Sequence, residues 1–192
     1  ITKLLQSYHS DYPLREGYPR EDLRSRMFHF INNRVFQVLL REMEKDGLLR
    51  VAANTVALKD FTPGLSPQQA ETINKIKKIF FEASFLPPAW NEITKSINID
   101  DTFAFEILQY LLRTGELVKI SEDIYFEKSI LALAREKITV VLRDKGEITV
   151  AELRDLLNTT RKYALPLMEY FDKEKLTRRV GDKRLPGKAL EN

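Results

Sequence analysis

One pattern occurs three times in this chain and constrains its fold more than anything else: an amphipathic helix, a Gly-x-Leu or similar break, then two short β-prone runs. The first copy starts at Val38, breaks at Gly47-Leu48-Leu49 and ends in Thr55-Val56-Ala57-Leu58. The second runs from Ile107 to Thr114, continues as Gly115-Glu116-Leu117-Val118-Lys119-Ile120 and ends in Ile124-Tyr125-Phe126. The third runs from Leu165 to Lys175, then Leu176-Thr177-Arg178-Arg179-Val180, then Lys183-Arg184-Leu185. The intervals, 68 and about 59 residues, are too uneven for stacked repeats of fixed period, so the copies read as related domains.

Local signals fill in the elements. Leu39, Leu40 and Met43 make a helical stripe, as do Leu108, Leu111 and Leu112. Gly47 and Gly115 suit the left-handed position that closes a helix. Asn54-Thr55, Glu122-Asp123 and Gly181-Asp182 fall where hairpin turns belong, which predicts two-stranded wings. Ser66-Pro67 opens a helix that runs to about Ala83, and Asp100 or Asp101 caps a later one. Trp90, in a short helix after Pro87-Pro88, is expected to plug the core, and Phe103 and Phe105 are expected there too. Residues 129–144 make a helix that Gly146 ends, Thr149-Val150-Ala151-Glu152 is a capping box, and Thr160 caps the next helix. Helix, helix, turn, helix, two-stranded wing is the winged-helix arrangement. The predicted fold is therefore mainly α with small β wings (α+β), as three tandem winged-helix domains near 1–62, 66–128 and 129–192. Phe61-Thr62-Pro63-Gly64-Leu65 reads as a linker; the second join has none, which predicts close packing there.

Composition removes several classes of function. There is no cysteine, so disulfides and thiolate metal sites are excluded, and a reducing intracellular setting fits. The two histidines, His9 and His29, are too few for a histidine-only zinc site and are expected to be surface or half-buried residues. Paired carboxylates with a matching histidine, a phosphate-cradling glycine loop and metal-ligand spacings are all missing, so no catalytic residue and no cofactor is expected. No apolar run approaches the roughly 20 residues that cross a bilayer, so no membrane partner is expected. The chain opens at Ile1 without a methionine or signal peptide and reads as a fragment of a longer protein. No dimerisation helix is evident, which predicts a monomer.

Charge singles out one end. Residues 1–128 carry 17 Lys+Arg against 18 Asp+Glu, whereas residues 129–192 carry 14 against 10. A winged helix presents the start of its third helix and its wing. In the first unit these are Asn32-Asn33-Arg34 and Ala52-Ala53-Asn54; in the second, Asp100-Asp101 and Glu122-Asp123 would repel phosphate. In the third both surfaces are basic, with Thr160-Arg161-Lys162-Tyr163 at the helix start and Arg178-Arg179-Val180-Gly181-Asp182-Lys183-Arg184 on the wing. Helix-start amides with Arg161 and Lys162 attract phosphate, and Tyr163 offers a ring for an unstacked base. Asp182 is either a turn residue or an acceptor for a base's donor edge. These cations are expected to converge on one face that meets a structured RNA. A double-stranded DNA regulator and a protein-interaction scaffold are the competing readings.

The last unit also resembles a known family. Ile148-Thr149-Val150-Ala151-Glu152-Leu153-Arg154-Asp155-Leu156-Leu157, Thr160-Arg161-Lys162-Tyr163-Ala164, Leu167-Met168-Glu169-Tyr170-Phe171-Asp172 and Thr177-Arg178-Arg179-Val180-Gly181-Asp182 are similar to the C-terminal winged helix of SelB, the bacterial selenocysteine-specific translation elongation factor. Tyr8-His9, Tyr12-Pro13-Leu14-Arg15, Gly17 and Pro19-Arg20-Glu21-Asp22-Leu23-Arg24 resemble an earlier winged helix of the same factor. The resemblance implies a cytoplasmic partner of the ribosome. In that family the C-terminal winged helices bind the SECIS hairpin of selenoprotein mRNA, and GTP and selenocysteinyl-tRNA belong to an N-terminal part. It implies an RNA-binding set of Arg154, Thr160, Arg161, Lys162, Tyr163, Arg178, Arg179, Gly181, Asp182, Lys183 and Arg184. Arg154 either touches RNA or pairs with Asp155. The tail Leu185-Pro186-Gly187-Lys188 does not follow the family pattern, which predicts a short second wing strand.

Overall fold

The computed structural model describes residues 1–190, which form two compact units, one over residues 1–70 and one from Glu71 onward. The first unit contains α1 (Thr2–Asp11), β1 (Tyr18–Pro19), α2 (Arg20–Met27), α3 (Asn33–Lys45), β2 (Leu49–Val51) and β3 (Thr55–Leu58). Asn32 caps α3 by accepting from the Val35 N–H at 2.9 Å. The apolar stripe of α3 buries Phe36 and Leu40 in a cluster with Leu5, Tyr8, Leu23 and Val56. Against expectation, His9 is buried: its ring stacks on Phe61 at 3.6 Å, and its Nε2 accepts from the Leu58 N–H at 3.2 Å. Burial, and secondarily the charge of Arg50, hold its pKa below the ordinary histidine value. His29 is exposed. Phe61 and Gly64, whose N–H bonds to the Pro13 carbonyl at 3.2 Å, tie the stretch expected as a linker to this unit.

α4 (Pro67–Ala83) begins at the end of the first unit and continues into the second, which also contains α5 (Trp90–Ser96), α6 (Asp101–Arg113), β4 (Leu117–Ser121), β5 (Ile124–Glu127), α7 (Lys128–Lys145), β6 (Ile148–Thr149), α8 (Val150–Leu156), α9 (Arg161–Lys173), β7 (Thr177–Val180) and β8 (Lys183–Pro186), with a 3-10 turn at Lys188–Leu190. The start of α4 is a reciprocal cap, Ser66 Oγ accepting from Gln69 N–H at 3.2 Å and Gln69 Oε1 from Ser66 N–H at 2.9 Å. Asp100 rather than Asp101 caps α6, accepting from the Phe103 N–H at 2.9 Å. Trp90 is only half-buried, edge-on to Tyr125, and Phe105 is 54% exposed on α6 rather than in the core.

Two of the three wings carry more than the predicted pair of strands. β1 joins the β2–β3 hairpin and β6 joins the β7–β8 hairpin, each through β3 or β8, so those sheets have three antiparallel strands. At two residues each, β1 and β6 are too short to show an alternating pattern in the sequence.

The join between middle and last modules is direct. Glu127 ends β5 and caps α7, its carboxylate accepting from the N–H groups of Ser129 (2.8 Å) and Ile130 (3.3 Å) and from the Ser129 hydroxyl. One cluster continues from Phe85, Ile120, Ile124 and Phe126 through Ile138, Leu153, Leu167, Met168 and Phe171 to Leu176. The Thr159 hydroxyl donates to the Phe85 carbonyl at 2.5 Å across the same boundary. These contacts provide the close packing expected at a join without Pro or Gly.

The helix ends of the three hairpin modules show one departure. Gly47 and Gly115 close α3 and α6 at φ of 71° and 70°. α9 closes the same way at Lys175, φ 59°, with the Leu176 N–H bonded to the Phe171 carbonyl and the Lys175 N–H to the Asp172 carbonyl. A lysine thus occupies the left-handed position that the other two modules give to glycine.

Candidate nucleic-acid interface

The interface builds from three segments of the last module. The sequence sends β6 into α8 through the Thr149–Glu152 capping box, with Glu152 N–H donating to Thr149 Oγ1 at 3.2 Å and Thr149 N–H to Glu152 Oε2 at 2.8 Å. The Thr149 backbone N–H, then its hydroxyl, hold the Glu152 carboxyl below its ordinary pKa. β6 pairs with β8, Thr149 opposite Lys183 and Ile148 opposite Arg184. This pairing brings the start of α8 beside the wing. The start of α9 adjoins both, Arg161 lining the same cleft as Thr149 and Arg179. Thr160 holds its N-cap position with extended backbone, yet its hydroxyl makes no cap bond. The expected side-chain cap is therefore absent, and Thr160 is exposed at the helix mouth.

The wing turns at Gly181-Asp182 between Val180 and Lys183. Gly181 has φ of 60° as the first of two central residues, the position a type II′ hairpin reserves for glycine. Strand alternation then decides which cations share a face. Arg179 pairs with Arg184 and shares a face with Ile148 and Thr177; Arg178 pairs with Leu185 on the other face, with Lys183 and Val180.

A cleft of about 380 Å³ lies where these segments meet, lined by Thr149, Val150, Ala151, Arg161, Leu165, Arg179, Asp182 and Arg184. Four of the expected residues thus converge: Arg161 from the helix start, and Arg179, Asp182 and Arg184 from the wing. The roles inside the cleft are unequal. Arg184 is 2% exposed, and its Nε donates to Asp172 Oδ2 at 3.1 Å. Asp172 also accepts from the buried Thr177 hydroxyl at 2.6 Å. Arg184 therefore clamps the wing to α9 and is not the solvent-facing cation the sequence suggested: an inward strand position fell to a charged residue that found its partner on the helix beneath. Arg179 is exposed, its Nε donating to the Gly181 carbonyl at 3.2 Å. Arg161 and Arg179 are the guanidinium groups whose charge the cleft presents, with the Asp182 carboxylate beside them.

Five of the remaining expected residues, Arg154, Lys162, Tyr163, Arg178 and Lys183, do not line the cleft, so the expectation of a single face shared by all the cations is corrected. Arg178 is exposed on the opposite face of the ribbon. Lys183 pairs with Glu147 at 2.6 Å, and that hydrogen bond raises its pKa. Arg154 pairs with its neighbour Asp155 at 2.6 Å, the alternative reading of that residue. Lys162 is exposed with its ammonium 5.1 Å from the Tyr163 ring centre, and Tyr163 is half-buried against the core rather than free for stacking. Sequence reasoning missed Thr149, Val150, Ala151 and Leu165 as walls of the cleft. The capping box located the start of α8, but only the β6–β8 pairing shows that it faces the wing. β8 runs four residues, to Pro186, so the second wing strand is as long as the first.

The middle module presents the reverse charge, with Asp100 engaged in its cap, Asp101 and Glu122 exposed, and Asp123 in the turn. Among the described residues no group of three or more His, Asp or Glu could hold a metal ion. None of the described helices is long and apolar enough to cross a membrane.

Two family models, each described as the winged helix of elongation factor SelB, match residues 2–58 and 141–185. The chain belongs to the SelB family. The selenocysteine-specific elongation factor of Desulfomicrobium baculatum is 27% identical over 94% of this chain and 28% of its own length. That of Escherichia coli strain K12 is 25% identical over 99% of this chain and 30% of its own length. The chain thus spans less than a third of these SelB relatives. Two solved structures share its fold. The mRNA-binding domain of E. coli SelB, determined in complex with SECIS RNA, has a TM-score of 0.55 at 24% identity and covers 64% of this chain and 99% of that one. A bacterial selenocysteine-specific elongation factor, EF-Sec, has a TM-score of 0.59 at 20% identity and covers 98% of this chain and 28% of that one.

Proposed function

We propose that the last module binds the SECIS hairpin of selenoprotein mRNA, as part of a longer cytoplasmic factor that brings selenocysteine to the ribosome. The observation that carries this reading is the meeting of Arg161 and Arg179 in one cleft beside Asp182. Two guanidinium groups attract phosphate, and a carboxylate among them suits a hydrogen-bond donor on a base. The mRNA-binding domain of E. coli SelB, solved with SECIS RNA, supports the choice of partner. Within this reading the chain acts as a monomeric binding module and not as an enzyme, and GTP belongs to the N-terminal part of the whole factor. Residues 1–62, 66–128 and 129–192 are its three winged-helix domains, the last making the RNA contacts. In addition to Arg161, Arg179 and Asp182, we assign Thr160, Lys162 and Gly181 to the interface as its helix mouth and wing tip. Arg154, Tyr163, Arg178, Lys183 and Arg184 are assigned supporting or peripheral roles.

Titration of the chain with a SECIS hairpin at two salt concentrations tests the reading. Affinity is expected to fall about tenfold or more between 50 and 200 mM salt, because each neutralised phosphate releases counterions. Duplex DNA that displaces the hairpin at equal concentration would favour a DNA regulator and defeat the proposal.

A further inference from the structure

The first unit contains a second cleft built from the same positions as the one in the last module. It is lined by Pro19, Arg20, Glu21, Asn33, Phe36, Gln37, Ala53 and Asn54, and its volume is also about 380 Å³. The match holds element by element. Pro19 pairs with Thr55 at the edge of the first sheet as Thr149 pairs with Lys183 in the last. Arg20 and Val150 each begin the helix that follows. Asn33 and Arg161 are the first residues of α3 and α9, and Gln37 and Leu165 the fifth. Asn54 and Asp182 each precede the strand that returns from the wing.

What differs is the chemistry of the lining. Where the last module has Arg161 and Asp182, the first has the primary amides of Asn33 and Asn54, and Gln37 adds a third. Arg20, the cation here, donates through Nη1 to the carbonyls of Ala52 (3.2 Å) and Ala53 (3.0 Å), which braces the wing tip, and Glu21 stands next to it. A cleft lined in this way offers little to phosphate. Each primary amide pairs a donor with an acceptor in one plane, which complements the edge of a purine carrying an exocyclic amino group next to a ring nitrogen. Asn33 and Gln37 lie one helical turn apart on the same side of α3, and Gln37 Nε2 donates to Asn33 Oδ1 at 3.4 Å, so the two amides face one another as a pair.

We propose that this cleft is a second site, which takes an unpaired adenine base of single-stranded RNA by its hydrogen-bonding edge and without phosphate neutralisation. The choice of RNA as ligand class rests on the reading of the last module; the location and the neutral chemistry of the site do not. The site adds sequence preference to a chain whose terminal module supplies charge, and its occupancy responds weakly to salt.

The test is an NMR titration of the full 192-residue chain with a hexamer of riboadenylate. The side-chain amide resonances of Asn33, Gln37 and Asn54 are expected to shift and saturate. A ribouridylate hexamer should bind about tenfold more weakly, because uracil carries no exocyclic amino group to donate to the amide oxygens. The dissociation constant should change less than about threefold between 50 and 200 mM salt, since few counterions are released. Asn33→Ala with Gln37→Ala should abolish the shifts; both residues sit on the outer side of α3, where alanine sustains the helix. An unresponsive set of amides, an equal response to both hexamers, or a stronger response to a capped neutral tripeptide would overturn the proposal. Arg161→Glu separates the two sites: hairpin binding is lost while the adenylate response stays. Failure of the hairpin to bind unmodified chain, with the adenylate shifts intact, counts against the reading of the last module alone.

Discussion

The middle and last modules of the second unit share one core and one helix–hairpin plan, yet they present opposite charge. α6 and α9 both have 13 residues, and both hairpins turn on two residues, so positions can be matched by counting. Asp101 stands where Arg161 does, and Asp123 matches Asp182. Beneath the wing the exchange runs the other way: Leu112 and Tyr125 of the middle module correspond to Asp172 and Arg184 of the last, an ion pair in which Arg184 is buried and Asp172 half-buried. The scaffold depends on apolar burial common to both modules. A few exposed positions choose what is bound, and the ion pair under the wing is an alternative to an apolar filling of the same place.

The largest expected effect comes from giving the last module the charge of the middle one. Arg161→Glu together with Arg179→Glu should weaken hairpin binding at least about a hundredfold, through lost attraction and new repulsion. Filter binding at constant salt measures it, and near-normal affinity would detach the cleft from RNA altogether. Next comes the clamp. Asp172→Ala leaves Arg184 buried without its partner and should lower unfolding free energy by about 3 kcal/mol. Asp172→Leu and Arg184→Tyr combined with Thr177→Leu, which copies Leu112, Tyr125 and Leu117 of the middle module and leaves no buried hydroxyl without its acceptor, should return to within about 1 kcal/mol of the unmodified protein, since apolar replacements of buried pairs are often neutral. Urea denaturation distinguishes the two; equal losses would show that the modules fill this place by different rules.

A smaller difference separates the two faces of the wing. Arg179→Ala should cost about tenfold in hairpin affinity, Arg178→Ala about threefold or less, because one lines the cleft and the other faces away. Equal losses would move the RNA from the cleft to the ribbon as a whole. The smallest effect concerns the helix ends. Lys175→Gly should stabilise by about 1 kcal/mol, and Gly115→Lys should destabilise by a similar amount, as a side chain at positive φ is relieved or introduced. Opposite signs in thermal melts are the expected result.

Much of this molecule is legible in its sequence. Helical stripes such as Leu108 and Leu111, the Ser66 and Thr149 caps, the stop at Gly146 and the turn at Gly181-Asp182 are local signals, each written within a few residues. So was the location of the basic excess in the last third, and the acidic presenting surface of the middle module. These follow from the chain alone, because periodicity, caps and turn preferences act over one or two helical turns.

Other features required distant segments to meet. That Arg178 and Arg179 part company follows from strand register; that Arg184 is buried follows from Asp172, twelve residues earlier, lying beneath its strand. The burial of His9 against Phe61 and Leu58, and the joining of β6 to β8 that carries Thr149 to the wing, depend on pairing across long stretches of chain. Sequence by itself determined the elements, their order and the end that carries the positive charge. Only tertiary structure decided which of those charges face a common cleft, because side-chain direction in a sheet depends on the partner strand and burial depends on what packs above it.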